Sequence, residues 1–269
     1  MSPTSTSEAG PPVGGSSDNP GSAKPARVAG PWLGFGIDAV LGIVLLLVAS
    51  TLLITPLVVS ATLSQPPGTP ADDVMQAILP ELTVAAIFAM LVAAAATWAL
   101  RGRTMRGELP RMALRPAMTW AVLAAVGIQA FAQLIDALLR SIDAPLAPSN
   151  VEPIVALIRQ WPLLAWLMIV VVGPFAEELL FRHVLLRRFA VAGRAFAGLV
   201  ATSALFALVH ELGQGAERGL AGWLAILAVY LVMGMGFGLV YVRTGRFWAA
   251  FVAHAVCNAV ALSLMAFST

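Results

Sequence analysis

The chain has 269 residues, of which 59% are hydrophobic and only 11% are charged. Because soluble domains carry about 25% charged residues, this composition excludes an ordinary soluble protein and indicates a multi-pass helical membrane protein. The formal net charge of +2 gives no indication of a nucleic-acid-binding surface, so the expected partners include the lipid bilayer and no nucleic acid. The single cysteine, Cys257, excludes an intrachain disulfide and a cysteine-based metal cluster.

Residues 1–31 are rich in Ser, Pro and Gly and show no apolar periodicity. This composition predicts a disordered N-terminal tail, because such a segment buries too little apolar surface to fold. The tail lacks the short apolar core of a cleavable signal peptide, so we expect it to remain in the cytoplasm.

The rest of the chain contains seven apolar runs that are nearly free of charge, most of them long enough to span a bilayer. They predict an all-α bundle of about seven transmembrane helices, at residues 39–64, 82–100, 117–135, 160–176, 195–210, 220–242 and 247–267. Pro174 is expected to kink the fourth helix just before a pair of glutamates.

The placement of arginines predicts the orientation of the chain in the membrane. Five Arg and one Glu lie in residues 101–115, three Arg in residues 187–194 and two Arg in residues 243–246, whereas residues 64–73 carry two Asp and no basic residue. Because positively charged loops stay in the cytoplasm, this pattern predicts a cytoplasmic N-terminus and an outward-facing C-terminus. The expected location is the plasma membrane of a bacterium.

Ionisable residues interrupt the later apolar segments, where each costs about 2.5–3.5 kcal/mol to insert at a helix centre. Such residues normally face the interior of the bundle and mark a site. Glu178 and Arg182 are four residues apart, so they share one helix face and can pair. Glu177 points about 100° away from Glu178 and is free for another role. The alternative for this cluster is an interfacial helix whose charges contact water or lipid headgroups.

Two of the chain's three histidines, His210 and His254, also fall within predicted helices. His254 and Asn258 are four residues apart, so the imidazole and the carboxamide project from one face. His183 lies among arginines, and we interpret it as structural. A carboxylate, two imidazoles and a carboxamide can activate a water and stabilise an oxyanion, or they can bind a cation and relay protons. The residues alone leave hydrolysis and transport both open.

Three short motifs resemble those of a known family. "EELLFR", at residues 177–182, resembles the Glu-Glu-x-x-x-Arg motif of the CAAX prenyl protease and bacteriocin-processing (CPBP, Abi) family of intramembrane proteases. "FALVH", at residues 206–210, is similar to that family's Phe-x-x-x-His motif, and "HAVCN", at residues 254–258, is similar to its His-x-x-x-Asn motif. The motifs occur in the family's order, and the resemblance covers residues 170–262.

The resemblance implies an intramembrane endopeptidase of the glutamate or metalloprotease type. In the family, the residue that matches Glu177 is the general base for a water molecule, and the residue that matches His210 helps to hold that water. The residues that match His254 and Asn258 are placed to stabilise the oxyanion.

The resemblance also implies that Glu178 and Arg182 brace the site. Zinc is a possible cofactor, because Glu177, His210 and His254 are residue types that ligate it, but we expect no tightly bound zinc. The predicted substrate is a peptide or a lipidated protein at the membrane, and the arginine-rich loops predict that the site opens towards the cytoplasm.

The alternative is a non-proteolytic membrane protein on the same scaffold, which binds a partner, confers immunity to a peptide toxin or transports protons or cations. Asn258 favours hydrolysis, because a proton relay would more naturally use a carboxylate at that position. On this interpretation the chain divides into the tail at residues 1–31, N-terminal transmembrane helices at residues 32–150 and a catalytic transmembrane core at residues 151–269.

Overall fold

The computed structural model describes residues 30–105, 107–142, 148–211 and 215–268, and only the backbone of residues 215–218, 267 and 268. The predicted disordered tail lies outside these residues, apart from Gly30 and Pro31. Within the described ranges the chain forms helices and no strand, which confirms the predicted all-α bundle.

The helices follow one another with short connections. In chain order they are α1 Pro31–Ser64, α2 Ala71–Ala77, α3 Leu79–Gly102, α4 Leu114–Arg140, α5 Val151–Gln160, α6 Pro162–Val191, α7 Ala195–Glu211, α8 Gly215–Thr244 and α9 Phe247–Ser268. In α8, Gly219 has a φ of 68°, so the regular part of that helix is Gly219–Thr244.

Among the described residues, six helices are long and apolar enough to cross a membrane, namely α1, α3, α4, α6, α9 and the regular part of α8. The seventh membrane segment, α7, is an apolar helix of 17 residues. These segments agree with the predicted number of about seven, and they make the chain an integral membrane protein.

The C-terminal end predicted for the fourth helix, residues 160–176, is wrong. The helical run α6 continues to Val191 and carries the charged motif inside it. The charges did not mark the end of the helix, because they face the interior of the bundle and not the membrane edge. The run also passes Pro174 without a break. Residues Leu167–Val172 before it are π-helical, and this i→i+5 pattern accommodates a residue that cannot make the regular i→i+4 bond.

One end of the bundle, which we call the arginine-rich end, comprises the described residues of 31–38, 98–115, 183–194 and 243–250. Backbone carbonyls here accept hydrogen bonds from arginines of other segments. Arg187 Nη2 donates to the Gly107 carbonyl at 2.5 Å, and Arg246 Nε donates to the Met112 carbonyl at 2.5 Å. These bonds tie the loop between α3 and α4 to α6 and to the start of α9.

Asp38 is the most deeply buried acid of the arginine-rich end, with none of its side chain exposed. Its Oδ1 accepts a hydrogen bond from Arg101 Nε at 2.7 Å, and its Oδ2 accepts one from Arg188 Nε at 3.1 Å. Two guanidinium groups therefore compensate one buried carboxylate and join α1, α3 and α6. The sequence analysis began the first helix at residue 39 and missed Asp38, because a lone acid beside an apolar run has the pattern of a helix boundary.

The opposite end of the bundle comprises the described residues of 64–79, 136–160, 208–223 and 262–266, and we call it the distal end. Gln76 Nε2 donates to Glu152 Oε1 at 2.9 Å, which joins α2 to α5. Ser149 Oγ donates to the His210 carbonyl at 3.1 Å and so attaches the segment before α5 to the end of α7.

Helices α7 and α8 pack closely through glycine. A Cβ at Gly234 would lie 2.9 Å from the Cα of Ser203, so a larger residue there would force the two backbones apart. The close approach matters for the interior, because the Gly234 carbonyl accepts a hydrogen bond from a buried arginine of α6.

Candidate active site

Three helices bring the predicted carboxylate and both predicted imidazoles together. Glu177 lies on α6, His210 near the end of α7 and His254 seven residues into α9. The Glu177 Oε1 atom is 3.9 Å from His210 Nε2, and its Oε2 atom is 3.7 Å from His254 Nε2. Glu177 thus lies between the two rings, although 33 residues separate it from His210 and 77 from His254.

The hydrogen bonds of the two rings fix which nitrogen carries the proton. His210 Nδ1 is 2.8 Å from the carbonyl oxygen of Phe206, and His254 Nδ1 is 3.0 Å from Glu178 Oε1. Because both partners only accept hydrogen bonds, each Nδ1 is the donor, and a neutral ring then presents a bare Nε2. Both Nε2 atoms face Glu177.

Three acceptor groups therefore converge on one point. Glu177 Oε2 is buried and accepts no hydrogen bond from any described residue. The distances of 3.7 and 3.9 Å between Glu177 and the Nε2 atoms are too long for direct hydrogen bonds but suit a shared water molecule. The arrangement is therefore built to accept protons from a small donor such as water, or to surround a cation.

Glu178 and Arg182 form the pair that their spacing predicted. Arg182 Nε is 3.1 Å from Glu178 Oε2, and the two side chains are 2% and 0% exposed. Arg182 Nη2 also donates to the Gly234 carbonyl at 3.2 Å. The other oxygen of Glu178 accepts the His254 hydrogen bond, so contacts run from Arg182 through Glu178 and His254 to Glu177.

Aromatic rings enclose this buried pair and the two imidazoles. The Arg182 guanidinium carbon lies 5.1 Å from the ring centre of Phe206 and 5.6 Å from that of Phe237. Phe237 also stacks on His254, with ring centres 4.3 Å apart. The His210 ring lies between Phe206 and Tyr230, at 4.3 and 4.5 Å. These contacts hold both imidazoles in place and exclude water from the charged pair.

Asn258 lines the same cavity as Glu177, but its described hydrogen bond is to the helix backbone. Its Nδ2 donates to the Ile169 carbonyl at 2.9 Å. In this π-helical stretch the Gly173 N–H bonds five residues back, to the Met168 carbonyl. The next bond in that register would run from Pro174 to Ile169, and proline has no N–H to donate. Asn258 supplies the missing donor.

The site lies in a cavity of about 950 Å³ that extends from Glu177 and the two imidazoles to the distal end. Its deep part is lined by Glu177, His210 and His254, and its outer part by Arg140 and the exposed Asn150. None of the described residues of the loops at the arginine-rich end lines it. The expectation that the site opens beside the arginine-rich loops is therefore wrong, because the cavity that contains Glu177 continues to the distal end, and the buried Arg182 and Phe237 lie between it and the arginine-rich end.

A polar stripe on α4 follows the wall of this cavity, and the sequence analysis missed it. It consists of Gln129, Gln133, Asp136 and Arg140, which line the cavity at successive turns of one helix face. Arg140 Nε bonds to Asp136 Oδ2 at 2.8 Å. The signal was available, because polar residues four, three and four positions apart in an apolar helix mark an interior face.

His183 and Cys257 lie outside the catalytic contacts. His183 lines a separate cavity of about 340 Å³ at the arginine-rich end, together with Arg187 and Arg246. Cys257 is buried, and its carbonyl accepts a hydrogen bond of 2.6 Å from Gln129 Nε2.

Comparisons with known proteins agree with this site. Residues 159–260 match the family model described as type II CAAX prenyl endopeptidase Rce1-like. A Bacillus subtilis (strain 168) protein named "Putative membrane peptidase YdiL" is 31% identical over 110 residues, which are 40% of this chain and 40% of that protein. The match thus spans about two fifths of the relative's length. No solved structure matches the chain.

The matched segment contains all three motifs and every residue of the Glu177 site. The resemblance that the motifs indicated is therefore confirmed, because residues 159–260 are similar to the CAAX-type family of membrane proteases.

Proposed function

We propose that the protein is an intramembrane endopeptidase that hydrolyses a peptide bond in a membrane-associated or peptide substrate. The observation that carries the proposal is the position of Glu177, whose carboxylate oxygens lie 3.9 and 3.7 Å from the bare Nε2 atoms of His210 and His254. This group lies at the deep end of a cavity that is large enough for an extended peptide.

In the proposed reaction, Glu177 removes a proton from a water molecule while the water oxygen bonds to the substrate's carbonyl carbon. His210 holds the water, because its Nε2 accepts a second hydrogen bond from it. The tetrahedral intermediate then loses its amine, to which Glu177 returns the proton as the C–N bond breaks. The carboxylate is thereby regenerated and ready for another water.

His254 and Asn258 are the proposed donors to the oxyanion of the intermediate. His254 turns its Nε2 towards the cavity because its Nδ1 is held by Glu178, and in its protonated form that Nε2 donates to the oxyanion. Asn258 has two amide hydrogens, of which one is held by the Ile169 carbonyl. That bond fixes the carboxamide plane and leaves the other amide hydrogen to donate to the oxyanion in the cavity.

Glu178 and Arg182 are proposed as positioning residues that act through His254. Arg182 lies 3.1 Å from Glu178 and compensates the charge of this buried carboxylate. Glu178 in turn fixes the ring so that Nε2, and not Nδ1, faces Glu177.

The donor set also fits zinc, since two imidazole nitrogens and a carboxylate are ligands of catalytic zinc sites. The spacing is wider than such a site requires, because zinc ligands in a tetrahedron lie about 3.3 Å apart. Among the described residues no three His, Cys, Asp or Glu side chains form a preformed metal group. A bound zinc would be held by Glu177, His210 and His254 and would act as a Lewis acid. We propose the metal-independent reaction as the first hypothesis.

We further propose that the protein resides in a bacterial plasma membrane with its N-terminus in the cytoplasm. The support is the charge asymmetry between the two ends of the bundle and the bacterial source of the relative.

The test has two stages, because the substrate must first be identified. N-terminal proteomics compares membranes from cells that express the wild-type chain or Glu177→Gln, and new N-termini found only with the wild type identify cleavage sites. Synthetic peptides that span these sites are then incubated with the purified protein. Glu177→Gln, His210→Ala and His254→Ala should each reduce cleavage by about 100-fold or more.

Glu108→Gln is the matched control, because this carboxylate is 74% exposed at the arginine-rich end. It should cleave at the wild-type rate. Full activity of purified Glu177→Gln would refute the assignment of the base. If the wild-type chain yields no new N-termini and cleaves no peptide, the non-proteolytic alternatives of partner binding, toxin immunity or transport replace the protease.

A further inference from the structure

The catalytic cavity and the arginine-rich loops lie at opposite ends of the bundle. Taking the proposed protease function as its basis, we propose that the active site receives its substrate from the extracytoplasmic face. The substrate class is then a peptide segment exposed at the outer membrane surface, and not the prenylated carboxyl terminus of a cytoplasmic protein.

The first observation is the direction in which the cavity opens. From the level of Glu177 its walls continue to Arg140 at the end of α4, to Asn150 before α5 and to Met265 near the end of α9. The Arg140 side chain is 67% exposed, and Asn150 is exposed as well. The mouth is therefore at the distal end.

The second observation is that the described residues fill the bundle between the site and the arginine-rich end. On the side of the imidazoles that faces the arginine-rich end lie the buried Arg182 and Phe237, which are 2% and 0% exposed. Next comes a cluster in which Leu186 and Ala250 are wholly buried and Leu199 is 6% exposed. Close packing of this kind leaves no path for a peptide from that side.

The third observation is the polar stripe on α4. It leads from Gln129, near the catalytic level, to Arg140 at the mouth, a distance of about 16 Å at 1.5 Å per residue. An extended peptide covers that distance with about five residues. Peptide N–H and C=O groups need partners along such a path, and the amides of Gln129 and Gln133 can supply them.

The charge distribution gives the orientation. Among the described residues, nine Arg lie at the arginine-rich end, namely Arg101, Arg103, Arg111, Arg115, Arg187, Arg188, Arg194, Arg243 and Arg246. The described side chains of the distal end include two, Arg140 and Arg159. Because basic loops remain in the cytoplasm, the arginine-rich end is cytoplasmic and the mouth faces outward.

Cysteine labelling tests the proposal without any need for activity. Cys257 is the chain's single cysteine, so a Cys257→Ala background allows one new cysteine at a time. Asn150→Cys marks the mouth and Arg111→Cys marks the arginine-rich end, and both positions are exposed. Each variant is treated with a membrane-impermeant maleimide, once in spheroplasts and once in inverted vesicles.

We expect Asn150→Cys to be labelled in spheroplasts and Arg111→Cys only in inverted vesicles. The reverse pattern would overturn the proposal, as would labelling of both positions from one side. A Gln133→Cys variant extends the test into the cavity. Its labelling from the outer side should be slower than that of Asn150→Cys but present, and labelling of Gln133→Cys from the cytoplasmic side alone would contradict the access route.

A second arm separates this proposal from the protease assignment. An identified cleavage sequence is fused to a single-pass membrane anchor on either its cytoplasmic or its outer side. Cleavage of the outer fusion alone supports the proposal, and cleavage of the cytoplasmic fusion alone overturns it. If neither fusion is cut, the protease assignment fails while the labelling result still determines from which side the cavity is reached.

Discussion

The side-chain amide of Asn258 donates a hydrogen bond of 2.9 Å to the backbone carbonyl of Ile169. This bond joins α9 to α6 near Glu177 and takes the place of the backbone donor that Pro174 lacks. Asn258 therefore has two roles to separate, one in the stability of the bundle and one in the proposed reaction.

A double substitution separates the two roles of Asn258. Asn258→Ala leaves the Ile169 carbonyl without its donor, which should reduce the free energy of unfolding by about 1–3 kcal/mol. Pro174→Ala restores a backbone N–H next to this turn, so the double variant should regain a large part of that loss. Thermal unfolding in detergent measures both effects.

The double variant should recover stability without recovering the rate of cleavage. If Asn258 also donates to the oxyanion, the double variant should unfold like the wild type and still cleave slowly. Pro56→Ala, at a proline inside α1, is the control and should not rescue Asn258→Ala. Rescue by Pro56→Ala, or no rescue by Pro174→Ala, would contradict the capping role.

Substitutions of the two adjacent glutamates should differ in their effect on stability. Glu177→Gln should abolish cleavage with little change in unfolding temperature, because the side chain is 20% exposed and lies 3.7–3.9 Å from the imidazoles, beyond direct hydrogen-bond distance. Glu178→Gln should lower the stability by about 3–5 kcal/mol, because it leaves the buried Arg182 without its counterion. Parallel measurements of peptide cleavage and thermal unfolding distinguish the variants, and a strongly destabilised Glu177→Gln would count against the assignment.

The buried Asp38 should be important for stability and not for chemistry. Asp38→Asn leaves the guanidinium groups of Arg101 and Arg188 without a carboxylate, which should cost about 3–5 kcal/mol. Glu108→Gln breaks an exposed pair with Arg111 and should cost less than about 1 kcal/mol. The measurement is the unfolding temperature of the purified variants. Equal effects of the two substitutions would show that the Asp38 cluster is not a stabilising element.

Removal of metal should not stop the reaction if Glu177 acts directly on water. After dialysis against a zinc chelator, the protein should cleave its peptide at an unchanged rate and contain no stoichiometric zinc by elemental analysis. The His210→Ala variant, assayed without chelator, is the control that shows how slowly a damaged site cleaves the peptide. Loss of activity on chelation, with recovery on addition of zinc, would replace the direct mechanism by one in which Glu177, His210 and His254 hold the metal.

Hydropathy predicted most of the membrane segments, because the bilayer requires long apolar helices whatever their arrangement. It misjudged α6, since the charges at Glu177, Glu178 and Arg182 ended the apolar run without ending the helix. The Glu178–Arg182 pair was predictable for a local reason, namely that residues four apart lie on one helix face.

Hydropathy and the spacing of residues along one helix do not predict contacts between distant segments. The approach of Glu177 to two imidazoles depends on how α6, α7 and α9 cross, and the sequence supplied it only through the resemblance of three motifs. Neither the Asn258–Ile169 bond nor the Asp38 cluster has a local signature, because their partners are 89, 63 and 150 residues away. The direction of the cavity was likewise determined by packing, since buried side chains such as Arg182 and Phe237 close it towards the arginine-rich end, whereas its walls continue to Arg140 and Asn150 at the distal end.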